Sequence, residues 1–210
     1  MNILHFFAEH HEEILELTLE HLWLVGASTL LAVLIGIPLG ILSAQRPLWN
    51  RPVLGTANII QTIPSLALFG FLLPVPWIGA RADRLAILAL TLYALLPVIR
   101  NTYTGIRGVD ASVVEAGRGM GLTDRQLLFQ VELPLAVSVI LSGVRVAVVV
   151  SVGLATIAAA IGAGGLGEFI FRGLAMVNNQ LILAGAIPAA ILALSADFGL
   201  GWLENRLRPR

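Results

Sequence analysis

The sequence predicts an all-α protein that crosses a membrane several times, as its composition and its long apolar segments both indicate. Of its 210 residues, 57% are hydrophobic and only 12% are charged, and the mean hydropathy is +0.88. Soluble domains carry about 25% charged residues, so this chain has too few charges to cover a soluble surface. Five of its segments are apolar enough to cross a hydrocarbon core about 30 Å thick. We therefore expect a polytopic bundle of five spans.

The five predicted spans are separated by short polar segments. They are residues 22–44, 53–73, 85–99 with an extension toward 106, 135–161 and 181–203. Pro64 breaks the second span, and membrane helices tolerate such breaks where neighbouring groups satisfy the freed carbonyls. The apolar segment from Phe169 to Val177 is too short to cross, so we expect it to be re-entrant or interfacial.

The first twenty residues are predicted to lie outside the bundle. Residues 6–20 carry a loose apolar stripe beside acidic groups, which favours an amphipathic helix on the outer membrane surface. We therefore expect an interfacial segment at residues 1–20, a membrane domain at 21–204 and a cytoplasmic tail at 205–210.

The distribution of arginine predicts the orientation in the membrane, because arginine accounts for all thirteen basic residues. If the N-terminus is outside, these arginines face the cytoplasm: Arg46, Arg51, Arg100, Arg107, Arg118, Arg125, Arg206, Arg208 and Arg210. Only Arg81, Arg84 and Arg172 then lie outside. Since positive charge accumulates on cytoplasmic segments, we expect an outer N-terminus and a cytoplasmic C-terminus.

Several function classes are disfavoured by the composition. The chain has no cysteine, so it has neither disulfides nor thiolate metal sites, and its net charge of zero gives no electrostatic case for binding nucleic acid. It has no lysine, so it lacks a P-loop for ATP. The run from His10 to Glu13 is a poor metal site because adjacent helical residues do not face one another. No cluster at catalytic spacing supports an enzyme.

The glycine-rich run from Gly162 to Gly167 matches G-x-G-x-x-G letter for letter. A dinucleotide site would need a preceding strand and an acidic residue about 20 positions later, and this run has neither. It follows a predicted span instead. We interpret it as a tight turn that brings two segments close together.

A polar segment, "EAGRGMGLTDRQLLFQVELP", separates the third and fourth spans at residues 115–134. Ser112 and Glu115 have the spacing of a capping box, with Asp110 as a competing N-cap. The helix that follows would end near Met120, and Gly121 suits the left-handed position that closes it. A second capping pattern, from Thr123 to Gln126, opens another short helix that ends at Pro134 or leads into the fourth span there. Such a segment is too polar for lipid and too short to be stable alone, so we expect it to dock against a partner.

The spacing in this segment resembles the motif E-A-A-x3-G-x9-I-x-L-P of ABC importer permeases. The matching positions are Glu115, Ala116, Gly117, Gly121, Val131, Leu133 and Pro134. Two of them differ from the family pattern, Gly117 for alanine and Val131 for isoleucine. The resemblance implies a five-span type I permease core in which residues 107–134 form the cytoplasmic coupling loop. Its first short helix would then be the coupling helix that enters a cleft of the ATPase subunit, with Glu115 and Gly121 most closely tied to coupling.

Other segments look like the permeases of importers for glycine betaine, choline and carnitine. They are "TIPSLALFGFLLP", "LALTLYALLPVIRNTYTGI", "IGAGGLGEFIFRGL" and "ILAGAIPAAILALSAD". This resemblance implies a multi-pass protein of a prokaryotic inner membrane. It also implies a separate substrate-binding protein, periplasmic or lipid-anchored, and a second permease, identical or related. ATP would be bound by the ATPase subunit, so no cofactor is expected here. The alternatives are an amino-acid importer permease and, in another class, a stand-alone secondary transporter or channel.

Two charged residues are predicted to lie deep in the spans. Arg145 is eleven residues past Pro134, about 16 Å of helix rise, and Asp197 is seven residues before Glu204, about 10 Å. Because their depths are similar, we expect an ion pair, within or between subunits, that helps to hold one gating state. A substrate role for either residue is the weaker interpretation.

Small residues recur at every fourth position of the fourth span: Gly143, Ala147, Ser151, Ala155 and Ala159. Such a stripe permits close contact between helices. Two interpretations remain open at this point, packing within the subunit and a wall of the translocation path at a dimer seam.

Overall fold

The computed structural model describes residues 3–207, and each regular element in that range is helical. The α-helices are α1 (Ile3–Glu9), α2 (His11–Gln45), α3 (Pro47–Thr62), α4 (Ser65–Leu72), α5 (Ala82–Arg107), α6 (Ala111–Gly119), α7 (Asp124–Leu127), α8 (Leu133–Ala158), α9 (Gly167–Ala175) and α10 (Asn179–Arg206). A π-helical turn at Leu128–Glu132 joins α7 to α8, and a 3-10 turn at Ala159–Ile161 ends α8. The predicted all-α class is confirmed.

The helices provide four or five membrane spans by length and composition. Helices α2, α5 and α10 qualify alone, and α7, the π-helical turn, α8 and the 3-10 turn together form a fourth. Helices α3 and α4 make a fifth span if they are counted as one unit, although they meet at an angle of 102°. The nine residues of α9 rise about 14 Å, which is too short to cross.

The N-terminal boundary differs from the one predicted. Helix α2 runs unbroken for 35 residues, so residues 11–20 belong to the first long helix and do not form a separate interfacial one. Its length of about 52 Å exceeds a hydrocarbon core of about 30 Å. Within residues 11–20 only Leu17 is buried, and His21 follows it as the next buried residue of α2. The C-terminal helix likewise continues to Arg206, and residues 1–2 and 208–210 lie outside the described residues.

Helix α5 is the centre of the bundle and packs against α2, α3, α4 and α8. Its contact with α8 is close because Gly143 has no side chain. A Cβ at that position would lie 2.7 Å from the Pro97 carbonyl oxygen and 2.5 Å from Asn101 Cβ. The burial is uneven across the spans, since 61% of the apolar window of α5 is buried and only 17% of that of α10.

The bend between α3 and α4 is held by two hydrogen bonds to α5. Pro97 lacks an N–H, so the carbonyl of Tyr93, four residues earlier, loses its helical donor. Gln61 Nε2 donates to that carbonyl at 2.8 Å. In return, the Tyr93 hydroxyl donates to the carbonyl of Ile63, which lies in the break just before Pro64. The Gln61 side chain beside the α3–α4 break thus satisfies the carbonyl freed by Pro97, and the Tyr93 hydroxyl satisfies a carbonyl in the α3–α4 break. A lipid environment requires such pairing.

This arrangement predicts that the contribution of Gln61 to the free energy of unfolding depends on the presence of Pro97. Gln61→Leu leaves the Tyr93 carbonyl without a donor and should lower the free energy of unfolding in detergent by about 1 kcal/mol. Pro97→Ala restores the helical donor, so the same Gln61→Leu change should cost much less in that background. The measurement is a double-mutant cycle on thermal unfolding.

Asn58→Leu serves as the matched control for this cycle. Asn58 lies on the same helix, and within residues 3–207 its amide has no hydrogen-bond partner. An equal cost for Gln61→Leu with and without Pro97 would contradict the interpretation.

Candidate functional site

The polar segment of residues 108–132 folds into a short helical hairpin, called here the polar hairpin. Its first helix, α6, is capped by Asp110, whose Oδ1 accepts the Ser112 backbone N–H at 2.8 Å and the Ser112 hydroxyl at 2.7 Å. Because the hydroxyl is used in this way, the capping box predicted between Ser112 and Glu115 does not form. The Ser112 hydroxyl, and to a smaller extent the Ser112 N–H, stabilise the ionised carboxylate of Asp110 and so lower its pKa. The cap is therefore formed at neutral pH, and its contribution is lost as the pH falls through that lowered pKa.

Helix α6 ends in a Schellman motif at the predicted glycine. The Leu122 N–H donates to the Gly117 carbonyl at 3.1 Å, and the Gly121 N–H donates to the Arg118 carbonyl at 2.9 Å. Gly121 has φ of +83°, a left-handed conformation that glycine adopts without strain. The chain reversal of the hairpin is thus fixed by backbone hydrogen bonds.

The second helix of the hairpin has the predicted capping box and leads into the fourth span at Pro134, which is one of the two predicted outcomes. The Thr123 N–H donates to Gln126 Oε1 at 2.9 Å, and the Gln126 N–H donates to Thr123 Oγ1 at 3.4 Å. The helix then continues through the π-helical turn into α8 and does not stop at Pro134. Pro134 cannot donate to the carbonyl four residues earlier, and the wider turn just before it accommodates the missing bond.

The hairpin packs against the ends of α2 and α5 that are predicted to face the cytoplasm. Leu128 is buried in a cluster with Ala44 of α2 and Ile106 of α5. Gly117 is buried as well, and a Cβ there would lie 2.8 Å from Leu127 Cδ1. A Cβ at this position would require the Leu127 side chain to shift, so glycine lets the two arms of the hairpin approach closely.

The structure divides the seven motif positions between surface and interior. Glu115, Ala116, Gly121 and Pro134 are exposed, whereas Val131 and Leu133 are half-buried. Glu115 has no hydrogen bond or ion pair within the described part of the chain. Its carboxylate is thus available to a partner.

A cavity of about 790 Å³ lies between the hairpin and the ends of α2 and α5. Its charged lining consists of Arg46, Arg107, Glu115, Arg118, Asp124, Arg125 and Glu132. These groups form no ion pairs with one another within residues 3–207. The sequence did not reveal this cavity, because it is formed by three segments that meet only in the folded chain.

The two intramembrane charges meet within one subunit. Arg145 Nε lies 2.6 Å from Asp197 Oδ1, and Arg145 Nη2 lies 2.9 Å from Asp197 Oδ2, which is a bidentate ion pair. Glu204 adds a third member, with its Oε2 3.5 Å from Arg145 Nη1. Gly201 leaves room for the guanidinium, since a Cβ there would lie 3.0 Å from Nη1. A role in gating remains a prediction.

The stripe of small residues on α8 packs against other helices of the same subunit. Ala147 and Ala155 are fully buried in apolar clusters, and Gly143 contacts α5. Ser151 is fully buried too, whereas Ala159 is half-buried beside Gly167. These contacts agree with the first of the two interpretations, in which the stripe serves packing within the subunit.

The glycine run at residues 162–167 is a turn that packs against two adjacent residues of α2, one of which bonds to the turn and the other to the middle of α8. Glu20 Oε2 accepts the Gly165 N–H at 2.9 Å, and His21 Nε2 donates to the Val152 carbonyl at 3.2 Å. Gly162, Gly164 and Gly165 have φ of +77°, +83° and +80°, which the run of glycines allows. The turn's anion-binding N–H is thus occupied by the protein's own carboxylate. Sequence reasoning missed Glu20 and His21, which lie about 140 positions earlier in the chain.

No group of three or more potential metal ligands occurs among residues 3–207. Near the N-terminus, the Nδ1 atoms of His10 and His11 are hydrogen-bonded to the carbonyls of Phe6 and Ala8. These ring nitrogens are used within the first helices.

A multi-span helical bundle with a capped polar hairpin at one end is the architecture of a membrane permease subunit. Residues 36–209 match the family described as binding-protein-dependent transport system inner membrane component. The chain belongs to this family, and the resemblance seen in the hairpin motif is confirmed. It is accordingly a multi-pass inner-membrane component of an ABC transporter.

Curated relatives match along nearly the whole chain. The chain is 45% identical over 208 residues to the carnitine transport permease protein OpuCB of Listeria monocytogenes, covering 99% of this chain and 94% of that protein. It is 44% identical to the glycine betaine/carnitine/choline transport system permease protein OpuCD of Bacillus subtilis strain 168, with 97% and 88% covered. It is 41% identical to the osmoprotectant import permease protein OsmW of Salmonella typhimurium strain LT2, with 100% and 99% covered.

Solved structures share the fold. A chain of the MetNI methionine ABC transporter in inward-facing conformations matches with a TM-score of 0.81 at 24% identity, covering 91% of this chain and 94% of that chain. A chain of an amino acid ABC transporter with histidines matches with a TM-score of 0.80 at 18% identity, with 98% and 99% covered. The type I importer permease fold is thereby confirmed.

The Schellman motif predicts opposite effects for two neighbouring glycines. Gly121→Ala forces a left-handed alanine and should cost about 1 kcal/mol, whereas Gly119→Ala replaces a helical glycine with open space around it and should be neutral or stabilising. Hydrogen exchange of residues 115–127, followed by mass spectrometry, should be roughly fivefold faster in Gly121→Ala, the rate equivalent of that cost. Equal exchange in both variants would show that the turn does not depend on Gly121.

Proposed function

We propose that this chain is the permease subunit of an ATP-driven importer for quaternary-amine solutes of the glycine betaine, choline and carnitine type. The observation that carries the proposal is the match of 44–45% identity along nearly the full length to permeases named for carnitine and for glycine betaine, carnitine and choline. The polar hairpin independently supports an ATP-driven importer, because a stand-alone transporter or channel has no need of a capped helix exposed for docking.

The mechanism proposed is alternating access driven from the hairpin. The exposed face of α6, with Glu115, would sit in a cleft of a cytoplasmic ATPase subunit. Closure of two ATPase subunits on ATP would move the hairpins, and each hairpin is continuous with α8 through α7 and the π-helical turn. The path would then switch between inward-facing and outward-facing, with each partner biasing one state through its differential contacts.

The partners follow from this assignment. A substrate-binding protein would deliver the solute at the end of the bundle that carries the glycine turn. It would supply most of the selectivity, because an aromatic cage can hold a quaternary ammonium by cation–π attraction. A second permease and the lipid bilayer complete the assembly. The N-terminus would be outside and the C-terminus cytoplasmic, and the chain itself would catalyse no reaction.

Reconstitution tests this function directly. Proteoliposomes that contain the permease, its ATPase and its binding protein should take up at least one of glycine betaine, choline and carnitine when ATP is present inside. Uptake should fall to background when the ATPase is omitted. The Glu115→Lys variant should still insert into the membrane. It should assemble less well with the ATPase, because the substitution reverses the charge that the hairpin presents.

Two outcomes would contradict the proposal in different ways. Uptake by the permease alone would indicate a secondary transporter or a channel. ATP-dependent uptake of methionine or histidine, without uptake of any quaternary amine, would retain the importer but assign it to amino acids.

A further inference from the structure

The half of α5 that is predicted to lie nearest the cytoplasm has one exposed face. Between Leu96 and Arg107, only Arg100, Thr104 and Arg107 are exposed, and the other residues of this half are buried or half-buried. Because residues four and three positions apart are neighbours on a helix surface, the three exposed residues form one line. They are called here the α5 stripe.

The helices packed around α5 show where this stripe opens. On one side, Asn50 of α3 donates to the Tyr103 hydroxyl at 2.9 Å. On another side, a Cβ at Gly143 of α8 would lie 2.5 Å from Asn101 Cβ. Helix α2 covers the face opposite the stripe, where Gly40 is closely packed. The α5 stripe therefore opens between α3 and α8, on the side of α5 away from α2.

The two sides of the bundle differ in their surface chemistry. Helix α2 has no charged residue between Glu20 and Arg46, and in the middle of its span it exposes Leu30, Leu31, Leu34 and Ile35. Arg100, in contrast, lies seven residues before Arg107, which is about 10 Å inside the end of α5. Charged side chains within membrane spans face protein or water and not hydrocarbon. The α2 side thus suits lipid, and the side of the α5 stripe does not.

Arg100 has no carboxylate partner within residues 3–207. The two acidic groups of α10 are bound to Arg145. Glu132 lies at the polar hairpin, where it interacts electrostatically with Arg118 and Arg107. A guanidinium has five N–H donors in a planar fork that matches a carboxylate. The fork of Arg100 is therefore available to a carboxylate from outside the chain.

We infer that Arg100 receives the carboxylate of the solute during transport, so that the importer prefers quaternary amines that carry a carboxylate. This inference rests on the proposed importer function. Glycine betaine and carnitine each carry a carboxylate beside the quaternary ammonium, whereas choline carries only a hydroxyl. A carboxylate can bind the guanidinium with two parallel hydrogen bonds, and choline offers Arg100 only a like charge. Arg100 is thus a specificity-determining residue of the permease, in addition to the selectivity of the binding protein.

Thiol labelling tests whether position 100 is in contact with water. The sequence has no cysteine, so Arg100→Cys introduces the single thiol of this chain. In inside-out membrane vesicles that contain the complete transporter, this thiol should react with the impermeant reagent sulfonatoethyl methanethiosulfonate. The control is Ile35→Cys on the α2 side, at a similar depth because Gly36 lies against Val98. Since only a water-exposed thiol ionises readily, labelling should be at least about tenfold faster at position 100.

The solute preference is tested by measuring uptake of carnitine and of choline in the same preparation. In Arg100→Gln, carnitine uptake into proteoliposomes should fall at least about tenfold more than choline uptake, because a hydrogen bond to a charged group is lost. Arg100→Lys keeps the charge but not the planar fork, so it should lose less. Arg84→Gln is the matched control, because Arg84 is exposed on the same helix about 24 Å away and should leave both rates unchanged.

Three results would overturn the inference. Labelling at position 100 as slow as at position 35 would show that Arg100 does not face water. An equal fall in the uptake of both solutes in Arg100→Gln would indicate a structural role. A wild-type importer that carries choline but neither glycine betaine nor carnitine would exclude the preference while leaving the proposed function intact. The labelling requires no uptake, so failure here is distinct from failure of the proposed function.

Discussion

A hydrocarbon environment offers no water to an unpaired backbone group, and this constraint explains how the breaks at Pro64 and Pro97 are paired. Pro97 frees the carbonyl of Tyr93, and Gln61 supplies the missing donor. The π-helical turn precedes Pro134, which cannot donate to the carbonyl four residues earlier. At the far end of α8, Glu20 accepts a turn N–H. The bundle can bend where it does because a side chain or a wider turn is present at each of these places.

The same constraint separates the rigid parts of the molecule from those that can be rearranged. Hydrogen bonds within a helix are held by many neighbours, whereas the bridges of Gln61, Glu20 and His21 are single side-chain contacts between elements. The polar hairpin is fixed at both its caps and is continuous with α8. In the proposed mechanism, a displacement of the hairpin would therefore reach the helix that carries Arg145, while the single contacts would be the places where the bundle yields.

Much of the fold could be predicted from the sequence, because membrane spans and helix caps are local signals. The spans and the left-handed Gly121 follow from hydropathy and turn chemistry alone. The errors occurred where two local signals compete. Ser112 could cap through either of two partners, and the hydroxyl bonds to Asp110. The apolar pattern before residue 20 was predicted to form a helix of its own, and residues 11–20 instead begin the long helix α2, whose place relative to the membrane surface stays a prediction.

The site was predictable only in part, for the same reason. The motif positions of the hairpin have fixed spacing, so they could be located in the sequence, but their division into exposed Glu115 and buried Gly117 depends on how the two arms pack. Arg145 and Asp197 could be paired by depth. The sequence could not predict that Glu204 joins this ion pair, or that Glu20 bonds to the glycine turn, because these contacts join residues that are 59 and 145 positions apart.

The polar hairpin is proposed to be the contact with the ATPase, and site-specific cross-linking tests this contact most directly. Met120 is exposed at the tip of the hairpin, and Trp77 is exposed at the opposite end of the bundle. A photoreactive label on Met120→Cys should cross-link to the ATPase subunit in the complete transporter, and the same label on Trp77→Cys should not. A cross-link to the ATPase from position 77, or none from position 120 in an assembled transporter that hydrolyses ATP, would contradict the account.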